Sequence, residues 1–302
     1  MMTDDQWSLL LERVKDGRCT PFLGAGVNYR ILPLGGEIAR EWANKEKFPM
    51  KSCDDLAAVA QYVAIKHDAM RPKELILKRL REAPVPDFTK PDERLNCLRA
   101  LADLPLPIYL TTNYDNLMFE ALSHTQPPKH PRRDICRWHR NLKSLPSVLG
   151  GSSQYEPTWA NPLVFHLHGF DECVESLVLT EDDYIDFLVN ISRSRKLLPS
   201  RIEESMTTCS LLFIGYRLRD INFRVIHRGL VQSMDGSLRR LSVTVQMTPP
   251  DDSLEDAGAA ESYLTSYFDD LDVQVYWGTA SRFANELRDR WKKFNDGSSG
   301  SN

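Results

Sequence analysis

The chain has 302 residues, 42% hydrophobic and 26% charged, which suffices for one large domain or two modest ones around a substantial core. With 38 Lys and Arg against 42 Asp and Glu the net charge is −4, which argues against a dedicated nucleic-acid binder. There is no run of about 18 apolar residues to span a membrane, and the polar, acidic residues 1–7 lack the apolar segment of a secretory leader. The six cysteines (Cys19, Cys53, Cys97, Cys136, Cys173 and Cys209) form no C-x-x-C pair, so free thiols in a reducing cytoplasm fit better than a ribbon-type zinc site.

Trp7, Leu10, Leu11 and Val14 recur at helical spacing and predict a helix over 5–16. The short run Cys19-Thr20-Pro21-Phe22-Leu23 then stops at Gly24-Ala25-Gly26, a strand entering a tight turn before a helix. Residues 36–82 read as helical from Ile38, Trp42, Leu56, Val59, Ala60 and Val63, with Pro72 suited to a first helical turn. The prolines at 84, 86 and 91 interrupt that pattern ahead of a helix through Leu95, Leu98 and Leu101. Ile108-Tyr109-Leu110 is a second strand, followed by Thr111-Thr112-Asn113-Tyr114-Asp115 and a helix over 117–122.

The proline- and arginine-rich stretch 124–160 is read as an irregular insertion or long loop. Leu163-Val164-Phe165-His166-Leu167 is a third strand closed by His168-Gly169, and helices are expected over 181–206. Ser210-Leu211-Leu212-Phe213-Ile214 is a fourth strand, stopping at Gly215, and the runs 243–245 and 273–277 complete six. The Gly/Ser/Asn-rich end, 295–302, reads as disordered, within a flexible tail taken as 291–302.

Short uninterrupted apolar strands alternating with helices imply an α/β fold: a Rossmann-like parallel sheet with helices on both faces plus a smaller helical subdomain. We read 1–290 as one domain. Its sheet core covers 15–35, 105–123, 161–180 and 208–282, with helical insertions at 36–104 and 181–207. Ligands of such sheets sit beyond the carboxyl ends of the strands, where the strand order switches.

Four turns lie at strand ends. Gly24-Ala25-Gly26 can bring backbone N–H groups close to a phosphate, although Tyr29 stands where the dinucleotide fingerprint has its third glycine. Thr111 to Asp115 crowds polar side chains into one turn, more than a single helix cap explains. His166 and His168 share a strand face and read three ways: two metal ligands with Asp171 as third, core imidazoles, or a cleft residue. For His166, in mid-strand, the core reading is preferred; for His168, before a glycine, the cleft reading is. The turn Gly215-Tyr216-Arg217-Leu218-Arg219-Asp220 is either a plain surface turn or a site for a pyrophosphate or partner.

Together the four turns resemble the sirtuin superfamily, and within it the prokaryotic SIR2-like NAD+ hydrolases found in antiviral defence, some paired with a HerA-type ATPase/helicase. The resemblance covers roughly 15–282 and lies in Gly24-Ala25-Gly26-Val27-Asn28, Thr111 to Asp115, His168-Gly169 and Gly215 to Asp220. Asn28 and Arg217 depart from its usual serines, and the four-cysteine zinc module of protein deacylases is missing.

The resemblance implies NAD as substrate, no metal, and cleavage of the nicotinamide–ribose bond to nicotinamide and ADP-ribose. Asn113 and His168 would be catalytic: Asn113 orients water and ribose, and His168 is the general base. Gly24, Ala25, Gly26, Asn28, Thr112, Asp115, Gly215 and Tyr216 would hold the dinucleotide. It also implies a gated, cytoplasmic homo-oligomer or an ATPase/helicase partner; Arg132, Arg133, Arg137 and Arg140 read either as a contact surface for it or as a solvated loop. The alternative is a non-catalytic NAD or ADP-ribose sensor that controls a partner protein.

Overall fold

The computed structural model describes residues 2–150, 154–194, 197–216, 242–247, 257–269 and 273–299. Seven strands form one sheet: β1 (Cys19–Leu23), β2 (Ile108–Thr111), β3 (Arg132–Ile135), β4 (Leu163–His166), β5 (Ser210–Ile214), β6 (Ser242–Gln246) and β7 (Val273–Trp277). Their order is β3-β4-β2-β1-β5-β6-β7 and every pairing is parallel. From β1 the chain builds outward through β2 and β4, then returns to β5 on the other side of β1. The order therefore switches at β1, as in a doubly wound sheet.

Alternate residues of each strand feed two cores. Cys19, Leu23, Tyr109, Val164, Leu212 and Ile214 face one cluster, built with α1 (Asp4–Lys15), α5 (Asn96–Ala102), α6 (Leu117–Ser123) and α10 (Ala280–Ser299). Phe22, Leu110, Phe165, Leu211 and Phe213 face the other, with α7 (Glu181–Arg193), α8 (Ser200–Thr208) and α9 (Ala257–Asp269). A third cluster belongs to α2 (Gly35–Glu46), α3 (Leu56–Lys66) and α4 (Arg71–Arg81), and Leu177 and Leu179 join it to the loop after β4. These helices are the smaller helical subdomain. It is narrower than the insertions expected from sequence, because α5, α7 and α8 cover the sheet itself.

Two segments differ from their sequence reading. The stretch 124–160 contains β3, an edge strand paired residue for residue with β4. Its charges are matched locally: the Arg133 guanidinium lies 4.8 Å from the Phe119 ring and 5.2 Å from that of Phe170, and Asp134 takes hydrogen bonds from Arg137 and Ser147. The expected tail is helical through Ser299, because Trp291 and Phe294 pack against the first cluster and carry α10 forward. Among the described residues no helix is long and apolar enough to cross a membrane.

Candidate active site

The strand register sets the site. Ile135, His166, Thr111, Leu23 and Ile214 pair successively across the sheet and form one row near the carboxyl ends. The turns beginning at Gly24, Thr112, Leu167 and Gly215 leave the sheet just past this row. The described parts of the four turns are tied together by hydrogen bonds; Arg217, Leu218, Arg219 and Asp220 lie outside the described residues.

Gly24 and Gly26 pack directly against Gly215, with the amides of Gly24 and Gly26 donating to the carbonyls of Ile214 and Gly215 at 2.9 Å each. A Cβ on Gly26 would sit 2.8 Å from the Gly215 Cα, so this approach requires glycine on both sides. The close-packing glycine missing at position 29 is thus supplied by β5, and Tyr29 is exposed. The glycine turn continues as a single 3-10 turn over 25–28, not the α-helix expected there, and α2 begins only at Gly35. The Gly26 N–H is consumed by Gly215, which leaves Ala25 as the turn's candidate for a phosphate contact.

Asn113 is held at three points. Its N–H donates to Thr111 Oγ1 (3.0 Å), its carbonyl accepts from His166 Nδ1 (3.0 Å), and its Nδ2 donates to the Gly24 carbonyl (3.1 Å). Because the Gly24 carbonyl can only accept, the carboxamide is oriented with Nδ2 inward. Oδ1 is left as an acceptor without a partner among the described residues.

Asp115 accepts from Asn28 Nδ2 (2.7 Å) and the Leu117 amide (3.0 Å), and burial pushes its carboxyl up to about 6. Thr112 Oγ1 and the Tyr216 hydroxyl lie 3.0 Å apart; since the Tyr216 hydroxyl donates to the Leu23 carbonyl (3.0 Å), Thr112 is the donor between them. Thr112 and Tyr216 are both buried and join β1, β2 and β5.

His168 is 1% exposed, beneath the rings of Tyr184 and Phe187, which meet it edge-on at centroid distances of 5.4 and 5.0 Å. Desolvation drives its pKa down to about 3 and that of His166 to about 4. Of the five buried side-chain polar atoms without a hydrogen-bond partner among the described residues, three are Asn28 Oδ1, His166 Nε2 and His168 Nε2. Native structures leave few such atoms.

His166 Nδ1 is bonded to the Asn113 carbonyl and His168 packs among rings. Among the described residues no group of three or more His, Cys, Asp or Glu could hold a metal ion. Sequence reasoning missed two features here: the tether from His166 to Asn113, and the cover that Tyr184 and Phe187 place over His168. Arg133 and Arg137, read as part of a contact surface, instead bond internally to Asn116 and to Asp134, and only Arg132 and Arg140 of that group are exposed.

The buried imidazoles make acid stability a test of this geometry. Both are neutral in the folded chain and titrate near the ordinary value of 6.5 when unfolded. Their contribution is therefore complete above pH 6.5 and is lost as the pH falls toward 4. Between pH 7 and pH 5 the two together remove about 4 kcal/mol of stability, and the raised Asp115 carboxyl, protonating in the folded state, returns about 1 kcal/mol. Urea unfolding is expected to show a net loss of up to about 2 kcal/mol between these pH values, since the raised Asp103 and Asp171 carboxyls also return stability. Unchanged stability would place the imidazoles in contact with water.

Comparison with known proteins identifies the family of the chain. Residues 107–282, more than half of the chain, match the SIR2-like domain family. The chain is 26% identical over 221 residues to the NAD(+) hydrolase ThsA of Enterococcus faecium, covering 71% of this chain and 40% of that protein. It is 23% identical over 224 residues to the NAD(+) hydrolase ThsA of Bacillus cereus (strain MSX-D12), again covering 71% and 40%. It thus spans about two fifths of the length of these curated relatives. A solved Sir2 enzyme structure aligns over 98% of this chain and 100% of its own, at 14% identity and a TM-score of 0.46. With the family match running from the start of β2 through β7 and taking in the Asn113 and His168 turns, the chain belongs to the SIR2-like domain family.

Proposed function

We propose that the chain hydrolyses NAD+ at the nicotinamide–ribose bond, releasing nicotinamide and ADP-ribose. The observation that carries this reading is the fixed carboxamide of Asn113, with Oδ1 turned out at the switch point of the sheet. Nicotinamide departs as a neutral base, because its ring nitrogen already bears the positive charge, so a protonated acid is not required. The absence of a paired-carboxylate arrangement in the proposed machinery suits that chemistry. The site's task is to hold the bond in a dry setting and present water to an oxocarbenium-like ribose.

In this reading Asn113 Oδ1 accepts from the attacking water or a ribose hydroxyl, and neutral His168 takes the proton. Asp115 and Asn28 meet the carboxamide of the leaving group. Gly24, Ala25, Gly26, Thr112, Gly215 and Tyr216 shape the dinucleotide side, with Ala25 N–H toward the pyrophosphate. His168 beneath Tyr184 and Phe187 is a weak base shielded from substrate, so α7 has to shift before turnover. That supports a gated enzyme, as expected of an activity that would deplete a cell's NAD during antiviral defence. A homo-oligomer or an ATPase/helicase partner of the HerA type would supply the gate.

The purified chain incubated with NAD+ should release nicotinamide and ADP-ribose in equal amounts, resolved by chromatography and unaffected by a chelator. Saturable NAD+ binding without release, alone or with an activating partner, would replace this reading by that of a sensor module.

A further inference from the structure

We propose that His166 is a positioning residue for Asn113, its Nδ1–H tethering the asparagine main chain so that the carboxamide stays turned with Oδ1 outward. This inference rests on the reading of the chain as an NAD+ hydrolase. The last ladder bond between β2 and its neighbour runs from the Leu167 amide to the Thr111 carbonyl at 2.8 Å. Beyond that rung, among the described residues, the donor that reaches the Asn113 carbonyl comes from a side chain of β4. A carbonyl oxygen can only accept, so His166 carries its proton on Nδ1 and presents a lone pair at Nε2.

That choice of residue is unfavourable for the core alone. His166 is 1% exposed and its Nε2 has no partner among the described residues, with the Phe170 ring 5.5 Å away. A position that only filled space would be better served by an apolar side chain, which leaves no acceptor stranded. What imidazole adds is a donor two bonds beyond Cβ, fixed in direction by a rigid ring. It closes a short circuit: β4 holds the Asn113 carbonyl, β2 holds its N–H through Thr111, and the β1 turn holds its carboxamide through Gly24. With the carbonyl released, the peptide following Asn113 can rotate and the carboxamide loses its aim, although none of the groups proposed to touch NAD+ has changed.

The test compares His166→Phe with His166→Asn. Phenylalanine keeps a planar ring and removes the donor; asparagine restores an N–H at the position of Nδ1. For nicotinamide release we expect His166→Phe to lower kcat about 100-fold, the scale of a small misplacement of reacting groups, with KM within about 3-fold of wild type. His166→Asn should recover most of the loss in kcat. Wild-type kcat in His166→Phe, or a His166→Asn variant as slow as His166→Phe, overturns the proposal. Ring 15N shifts of His166 supply a readout independent of turnover: a protonated Nδ1 is expected, and a protonated Nε2 at neutral pH overturns the tether. A wild-type chain that releases no nicotinamide under any activating condition defeats the hydrolase reading instead, and the tether then stands or falls on the ring shifts.

Discussion

Replacing Asn113 by alanine should lower nicotinamide release by about 10²–10⁴-fold while the chain remains folded, the range typical of a positioned group that handles the attacking water. The structure accounts for both halves of that expectation. Alanine deletes Oδ1 and also the 3.1 Å bond from Nδ2 to the Gly24 carbonyl, but the two main-chain anchors through Thr111 and His166 persist. Loss of one half-buried neutral hydrogen bond costs about 1 kcal/mol, too little to unfold a domain of this size. His168→Ala should fall in the same range for a different reason, since it removes the proposed base and keeps the aim of Asn113. Binding separates both variants from damage to the cradle, because an intact dinucleotide cradle should keep NAD+ affinity within a few-fold in both. Full turnover in either variant, with circular dichroism confirming the fold, would sink the role assigned to that residue.

How far the sequence discloses the molecule depends on where each signal resides. Of the six strands found in it, β1, β2, β4, β5 and β6 are buried along their length and read as short, mainly apolar runs, whereas β7, at the sheet edge, is only partly buried. β3 carries no such signal: Arg-Arg-Asp-Ile is a strand only because it pairs with β4 and because Phe119, Phe170, Arg137 and Ser147 absorb its charges. The end of α10 is similar, its polar composition being carried by the Trp291 and Phe294 contacts upstream. At the site, the turns at 24–28, 111–115 and 168–169 are legible as glycine and polar residues gathered at strand ends. The register is not, and register decides that His166 stands beside Thr111 and so reaches Asn113. For the same reason His168 looks like an open cleft residue in sequence, whereas α7, brought back over the sheet, covers it with Tyr184 and Phe187.

Gly215→Ala is expected to be strongly damaging although it adds a single methyl group. Gly215 has φ of +84°, a left-handed conformation that costs an L-residue roughly 1–2 kcal/mol even with free space around it. There is no free space. The added Cβ would lie 2.6 Å from the Val27 nitrogen, 2.7 Å from the Gly24 oxygen and 2.9 Å from the Gly26 nitrogen, all main-chain atoms that cannot rotate away. Relief requires the β1 and β5 turns to separate, which breaks the bond from the Gly26 amide to the Gly215 carbonyl and loosens the carbonyl that orients Asn113. The combined cost should exceed about 4 kcal/mol, lowering Tm by about 10 °C or more and taking nicotinamide release with it. Gly35→Ala is the control for glycine removal as such. Its Cβ would meet only Leu56 side-chain atoms, the closest at 3.5 Å, in the first turn of α2. There alanine should leave stability unchanged or raise it by up to about 1 kcal/mol. If calorimetry finds the two variants equally stable, β1 and β5 are not locked turn against turn, and the cradle proposed for the dinucleotide loses its physical basis.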